Sequence, residues 1–87
     1  MYHTYILYSP STDKYYIGQT SQIEQRLAQH QTGAVRATRH APDWYPVFLC
    51  AFETRSQAMK LEYHLKKAKN RTTIQRYIDS ETNECPR

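Results

Sequence analysis

Three short apolar runs along the chain predict β-strands. Residues 3–9 and 14–19 are rich in aromatic and β-branched side chains, and the turn-forming residues 10–13 separate them. This arrangement predicts a hairpin, with Gly18 near its end at a position where a close backbone approach is common. Residues 45–52 form a continuous apolar run, which predicts a third, buried strand.

Helical spacing predicts a first helix over about residues 21–32. Thr20 or Ser21 can cap its start, and Ser21 has Glu24 three residues later, as in a capping box. The apolar stripe of this helix consists of Ile23 and Leu27. The long stretch from residue 33 to residue 44 contains glycine, proline and aspartate, and it predicts a loop.

Two further helices are predicted after the third strand. Thr54 starts the first of them, with Gln57 in the capping-box position. Its core-facing stripe repeats at helical steps and consists of Ala58, Leu61, Leu65 and Ala68. A short last helix, capped by Thr72 or Thr73, is predicted to reach Ile78.

The element order is therefore β-β-α-β-α-α, which predicts the α/β (α+β) class. We expect a small three-stranded antiparallel sheet flanked by about three helices. With 87 residues the chain has the length of one domain. We assign residues 1–80 to that domain and residues 81–87 to a flexible polar tail.

Positive charge is concentrated in two segments. The chain has a net charge of +4, and residues 25–42 contain arginines but no acidic residue. Residues 60–76 contain six lysines and arginines against Glu62 alone. Clustered positive charge is typical of proteins that bind a polyanion such as nucleic acid, although a solvated helix face explains a lysine run equally well.

Other function classes find little support in the composition. The chain contains no apolar run of about 18 residues, and its first residues lack the basic start of a signal peptide. Cys50 and Cys85 lack the CxxC spacing of a zinc site. We expect a cytoplasmic protein without a membrane segment.

Several residues carry candidate chemistry. Tyr5 and Tyr16 lie in the two hairpin strands and can meet on one sheet face if the turn sets that register, although Tyr15 competes with Tyr16 as the inward residue. Arg26 and His30 share one helix face, and an arginine there offers a planar fork for phosphate oxygens. Simple packing roles are the alternative for all of these residues.

Glu62 lies at the border of the apolar stripe on the second predicted helix. A carboxylate turned partly towards a core is unfavourable unless it is paired or metal-bound. One protein carboxylate together with phosphate and water suffices to hold Mg²⁺. The alternative is an exposed glutamate that pairs with Lys66 one turn later.

The ordered set of these residues resembles the GIY-YIG nuclease family. The second triplet of the family is present as Tyr16-Ile17-Gly18, whereas the first reads His3-Thr4-Tyr5 and keeps only its tyrosine. The likeness covers roughly residues 3–79 and is strongest to the small stand-alone branch, which is related to the nuclease domain of the excinuclease subunit that makes the 3′ incision. It implies a metal-dependent endonuclease, possessing a Mg²⁺ or Mn²⁺ cofactor.

The same resemblance implies a role for each site residue. Glu62 is expected to hold the metal, and Arg26 to stabilise the charge that develops on the phosphate. Tyr5 is expected to act as general base, with Tyr16 and His30 orienting the water, or with His30 as the sink of a proton relay. The family often has a late asparagine, for which Asn70 is the candidate.

Nucleic-acid contacts are expected from four basic residues: Arg36, Arg39, Lys66 and Lys69. The first two belong to a loop with Thr38 and His40 that resembles the substrate-facing loop of the small branch. DNA is the favoured partner over RNA, and the small size suggests a protein partner that supplies specificity. The alternatives are a nucleic-acid-binding module without turnover and a basic structural domain.

Overall fold

The computed structural model describes residues 1–68 and 71–79, and within them it contains every predicted element. The strands are β1 (Tyr2–Ser9), β2 (Lys14–Thr20) and β3 (Tyr45–Phe52). The helices are α1 (Ile23–Gln31), α2 (Arg55–Ala68) and α3 (Arg71–Asp79). The predicted loop after α1 contains one short 3-10 turn, Arg36–Thr38. The predicted order and fold class are confirmed, and β3 has the predicted bounds.

The sheet has the strand order β2-β1-β3, and both pairings are antiparallel. In the hairpin, Tyr5 is opposite Gly18 and Leu7 is opposite Tyr16. Because side chains alternate along a strand, these four residues lie on one face of the sheet. Ile6 is opposite Ile17 and lies on the other face.

The face that carries Ile6 packs against α2 and α3 and forms the larger core. Its buried members are Ile6, Ile17, Phe48, Cys50, Leu61, Leu65 and Ile74. The predicted stripe of α2 is therefore confirmed at Leu61 and Leu65, which are buried in this layer. The buried hydroxyl of Thr4 donates a hydrogen bond of 2.7 Å to the carbonyl of Ala58, which joins α2 to the central strand.

The opposite face is covered by α1 and by the loop after it. Tyr5, Leu7, Ala41 and Trp44 are buried there, and Ile23 and Leu27 of α1 pack against them. The indole nitrogen of Trp44 donates a hydrogen bond of 2.8 Å to the carbonyl of Thr38. The loop is thus held on the sheet by its own buried side chains.

An ion pair joins the hairpin turn to α3. Asp13 adopts a left-handed conformation with φ of 52°, and its carboxylate accepts two hydrogen bonds from the Arg71 guanidinium at 2.9 and 3.0 Å. The guanidinium also lies 5.2 Å from the ring centroid of Tyr15. Arg71 belongs to the basic segment of residues 60–76, but its charge is paired with Asp13 of this turn.

Helix ends follow the sequence in one case and depart from it in another. The capping box of α2 is confirmed, since Thr54 and Gln57 exchange side-chain to backbone hydrogen bonds. The capping box of α1 is wrong, because the helix begins at Ile23 with no side-chain cap. The hydroxyl of Thr20 instead accepts a bond from the Gln22 amide within the turn that precedes α1.

The predicted tail, residues 81–87, lies outside the described residues. Among the described residues, no helix combines the length and the apolar character needed to cross a bilayer.

Leu65 tests the layer between α2 and the sheet. It has no exposed surface, so Leu65→Ala would leave a cavity and should lower the free energy of unfolding by about 2–5 kcal/mol. Met59→Ala on the same helix is the control, since Met59 is 48% exposed and should change stability by less than roughly 0.5 kcal/mol. Urea denaturation measures both variants, and equal effects would contradict this packing.

Candidate active site

The hairpin register brings the two predicted tyrosines together on the face covered by α1. The ring centroids of Tyr5 and Tyr16 are 6.3 Å apart. The imidazole of His30 lies beside both rings, at 5.7 Å from Tyr5 and 4.7 Å from Tyr16. Tyr15 points to the other face, where it packs on the larger core. Of the two candidates, Tyr16 is thus the one that meets Tyr5.

Gly18 provides the space in which Tyr5 lies. A Cβ atom at this position would come 2.6 Å from the Tyr5 hydroxyl oxygen and 2.7 Å from its Cζ. It would also approach the ring of Tyr16 at 3.2 Å. The side chain of Tyr5 therefore extends from the central strand across Gly18 of the edge strand β2. The close approach suggested by the sequence occurs between this glycine and the tyrosine opposite it.

A hydrogen-bonded chain runs from Tyr5 into the protein. The Tyr5 hydroxyl is 2.9 Å from His30 Nε2, and His30 Nδ1 is 2.8 Å from Thr38 Oγ1. The Thr38 hydroxyl donates to the carbonyl of Val35 at 3.4 Å, so it accepts from Nδ1–H. Nε2 then accepts a hydrogen bond from the Tyr5 hydroxyl. All three linked side chains are 1% exposed or less.

The role of Thr38, whose hydroxyl binds the His30 ring, could not be predicted from the sequence. It was grouped with the substrate-facing loop, but its side chain is buried and orients the histidine. Its place in a basic, polar segment gave no sign of an inward hydroxyl. Only the folding of the loop over the sheet brings it within reach of His30.

Burial shifts the pKa values of the hydrogen-bonded Tyr5 and His30 in opposite directions. Desolvation raises the pKa of Tyr5 to about 12, although hydrogen bonding by Arg26 acts against that rise. Desolvation, followed by repulsion from Arg26, lowers the pKa of His30 to about 4. At neutral pH the pair is therefore an uncharged phenol donating to an uncharged imidazole.

Arg26 lies one turn before His30 on α1 and is half-buried. Its pKa is raised first by hydrogen bonding with Tyr5 and further by the charge of Tyr16, so the guanidinium lies close to both phenols. Its Nη1 donates to Gln29 Oε1 at 3.2 Å. This places a permanent positive charge next to the two tyrosines.

Glu62 belongs to the helix that packs on the opposite face of the sheet from Tyr5 and Tyr16. It lies on α2, and its side chain is 24% exposed. Its negative charge is the smallest of the contributions to the raised pKa of Tyr5. Lys66 Nζ is 3.8 Å from Glu62 Oε2, so the i, i+4 pair anticipated as the alternative is present.

The metal expected at this site would have a single protein carboxylate as its ligand. Within residues 1–68 and 71–79, no group of three or more histidine, cysteine, aspartate or glutamate side chains could hold an ion. A transition-metal site with several protein ligands is not available there. Glu62 is a single, partly exposed carboxylate, which matches the way Mg²⁺ binds through one carboxylate, phosphate oxygens and water. The ion pair between Lys66 and Glu62 is exposed to solvent, so it is too weak to keep a cation from binding to the Glu62 carboxylate.

The residues predicted to contact nucleic acid are spread over two parts of the structure, the loop after α1 and α2. Arg36 and Arg39 are exposed on the loop after α1, and Arg39 Nε donates to the carbonyl of Gly33 at 3.1 Å. Lys66 is exposed beside Glu62. Lys69 and Asn70 lie outside the described residues.

A polar groove opens next to Arg26. Its volume is about 290 Å³, and it is lined by Gln19, Thr20, Ser21, Gln22, Gln25, Arg26, Gln29 and Arg55. Arg55 was not among the predicted site residues. The only sequence signal for it was a positive charge at the start of α2, which by itself is common at a solvated helix end.

Gly18→Ala should displace Tyr5, because the added Cβ would overlap a buried, hydrogen-bonded ring. We expect stability to fall by about 1–3 kcal/mol. The bond to His30 should also be lost, which NMR of the His30 ring nitrogens would detect. In a Tyr5→Leu background the same glycine change should be much less damaging. Equal effects in both backgrounds would refute this contact.

The lowered pKa of His30 predicts a pH-dependent stability. Between the folded value of about 4 and the ordinary 6.5, the unfolded chain binds a proton that the folded protein excludes. The free energy of unfolding should therefore fall as the pH is lowered through this range, by up to roughly 3 kcal/mol from this group. Urea denaturation at several pH values measures the slope.

His30→Gln should flatten that slope, whereas His40→Gln, an exposed histidine on the loop, should leave it unchanged. If both variants keep the wild-type slope, His30 is not the group responsible.

Comparisons with known proteins identify the family of this chain. The model of the GIY-YIG catalytic domain matches residues 1–77. UPF0213 proteins of Yersinia pestis (strain Pestoides F) and of Yersinia pseudotuberculosis (serotype O:1b) are 36% identical over 80 residues, covering 91% of this chain and 83% of theirs. No solved structure matches the chain. With its family resemblance, its fold order and these relatives in agreement, the chain belongs to the GIY-YIG family, in its small stand-alone branch.

Proposed function

We propose that this protein is an endonuclease that hydrolyses phosphodiester bonds, in DNA rather than RNA, with Mg²⁺ or Mn²⁺ held by Glu62. Membership of a nuclease superfamily supports the reaction class. The observation that carries the proposal is the convergence of Tyr5, Tyr16, Arg26 and His30 beside a groove.

In this proposal Arg26 stabilises the negative charge that develops on the phosphate oxygens. Its guanidinium lines the groove and lies close to both phenols, and it offers planar donors for phosphate oxygens. Negative charge grows on those oxygens as water attacks, so a fixed positive group there stabilises the transition state more than the ground state. A divalent ion on Glu62 would add Lewis-acid polarisation of the phosphate when bound.

The proton of the attacking water needs an acceptor. A free tyrosinate is a poor choice, because burial raises the pKa of Tyr5 to about 12. The hydrogen bond to His30 supports a relay instead. The Tyr5 oxygen takes the water proton while its own proton passes to His30 Nε2, which leaves tyrosine neutral and makes an imidazolium. As the new P–O bond forms, the bond to the leaving strand oxygen breaks, and solvent water protonates that oxygen.

Two features set conditions on this relay. Tyr5 is 1% exposed in the unbound protein, so substrate binding must open a path to its hydroxyl. The pKa of His30 is lowered to about 4, so the imidazolium is short-lived unless the phosphate charge stabilises it. Both conditions couple proton transfer to the presence of bound substrate.

A binding module without turnover is the second candidate. The basic loop with Arg36 and Arg39 favours it, since exposed arginines bind a phosphate backbone without any catalytic group. The nuclease reading accounts for more, because a pure binding module gives no reason for the buried Tyr5–His30 pair beside Arg26. A protein partner that supplies specificity is part of the proposal, given how few elements remain to read bases.

Glu62→Gln provides the test. The wild type should cleave at least one of a panel of labelled duplex, flap and junction DNAs with Mg²⁺ or Mn²⁺, and EDTA should stop the reaction. The variant should lose about 100-fold or more in rate, since it keeps the side-chain shape but loses the charge that holds the cation. Its Mn²⁺ affinity, measured by calorimetry, should fall in parallel.

Glu24→Gln is the matched control, because it removes an exposed carboxylate of α1 that does not line the groove. It should cleave like the wild type. Equal cleavage by both variants would contradict the role of Glu62. Salt-dependent DNA binding with no cleavage by any form would favour the binding module.

A further inference from the structure

The groove beside Arg26 contains a second arginine to which the catalytic scheme gives no task. Arg55 is the first residue of α2, and it lines the groove together with Arg26. We propose that Arg55 binds a phosphodiester that flanks the scissile one on the same strand. This inference rests on the proposed nuclease function and adds a substrate-positioning residue to it.

Helix geometry aligns Arg55 with the proposed metal ligand. Arg55 and Glu62 are seven residues apart on α2, which is close to two turns, so both project from the same side of the helix. Their Cα atoms are therefore separated by about 10 Å along the axis. A strand whose scissile phosphate lies at Glu62 and Arg26 would bring a phosphate one to about three nucleotides away to Arg55, given a rise of about 3.4 Å per nucleotide in duplex DNA.

The guanidinium of Arg55 is partly positioned before any ligand binds. Its Cζ lies 4.9 Å from the ring centroid of Tyr2, which is the geometry of a cation–π contact. Among the residues that the structure describes, no acidic side chain lines the groove. The charge of Arg55 thus faces a groove whose other side chains do not neutralise it, and stacking reduces the freedom that it would lose on binding phosphate.

The rest of the groove suits a sugar-phosphate chain better than an apolar ligand. Four glutamines and two hydroxyl residues line it, and these side chains offer both donors and acceptors. Gln19 Oε1 is buried and has no hydrogen-bond partner among the described residues. The sugar-phosphate chain of DNA carries no donor, so this acceptor would need a base N–H or a water on the bound strand.

Binding tests the inference without relying on cleavage. In the Glu62→Gln background, which is not expected to cut, the affinity for a single-stranded oligonucleotide is measured over a range of salt concentrations. Arg55→Gln should weaken binding about 5- to 20-fold and reduce the slope of log K against log salt by about 0.7. Arg76→Gln removes an exposed charge on α3 outside the groove, and it should leave the slope unchanged.

Tyr2→Leu should give a smaller loss of affinity than Arg55→Gln, because it removes the stacking partner but keeps the charge. Tyr2→Phe keeps the ring and should bind normally. Equal slopes for Arg55→Gln and Arg76→Gln would overturn the proposal.

A substrate modification identifies the phosphate. Replacing single phosphates near the cut by neutral methylphosphonates should raise the KM of the wild type about 10-fold at one flanking position. At that position Arg55→Gln should show no further loss, whereas Arg76→Gln should respond like the wild type. The kcat should change little in each case, since Arg55 acts through binding.

Failure of this inference differs from failure of the proposed function. If the wild type cleaves but Arg55→Gln stays sensitive at every flanking position, Arg55 does not bind a flanking phosphate, and the nuclease function stands. If no form cleaves, the nuclease proposal fails, and equal salt slopes for the two arginine variants would refute the phosphate contact as well.

Discussion

The close approach of Tyr5 to Gly18 is the constraint on which the rest of this site depends. The hairpin register sets these two residues opposite one another, and the absence of a Cβ lets the tyrosine lie across the edge strand. Its hydroxyl then meets His30 at the end of α1, and His30 in turn meets Thr38 of the covering loop. One missing methyl group thus allows strand, helix and loop to be joined through a single line of hydrogen bonds.

The two faces of the sheet differ in composition: one carries most of the hydrophobic core, and the other carries the candidate catalytic side chains. The face that packs on α2 and α3 carries the larger hydrophobic core, in which Leu65 and Phe48 are buried. The opposite face carries tyrosines, a histidine and a tryptophan, which pack well but also offer polar atoms. Glu62 belongs to the helix on the first of these faces, and its charge adds a small contribution to the raised pKa of Tyr5 on the other. The groove lined by residues of β2, α1 and α2 is where groups from both layers come together.

The protonation of the hydrogen-bonded Tyr5 and His30 follows from their burial on this face of the sheet. Burial disfavours both tyrosinate and imidazolium, so the pair remains neutral until something at the surface supplies compensating charge. Arg26 acts on both partners, favouring the phenolate and opposing the imidazolium. A phosphate bound at Arg26 would reduce that repulsion, which is a physical route from substrate binding to proton transfer.

The sequence by itself determined the elements, their order and the family. Alternation and helical spacing are local properties, so β3 and the α2 stripe could be read from them directly, and the Thr54 capping box likewise. The sequence predicts the start of α1 wrongly, because Ser21 and Glu24 have the spacing of a capping box. In the structure a turn that includes Gln22 comes first, and the helix begins at Ile23. Tyr5, Tyr16, Arg26, His30 and Glu62 could be named from the family pattern alone.

Only the tertiary structure decided which of these residues meet and how they are protonated. Whether Tyr15 or Tyr16 faces Tyr5 depends on the strand register, which a turn of this length does not specify from sequence. The inward hydroxyl of Thr38, the groove position of Arg55 and the pairing of Arg71 with Asp13 all join residues distant along the chain. Such contacts arise from packing, and pKa shifts follow burial, so neither has a signature in local spacing.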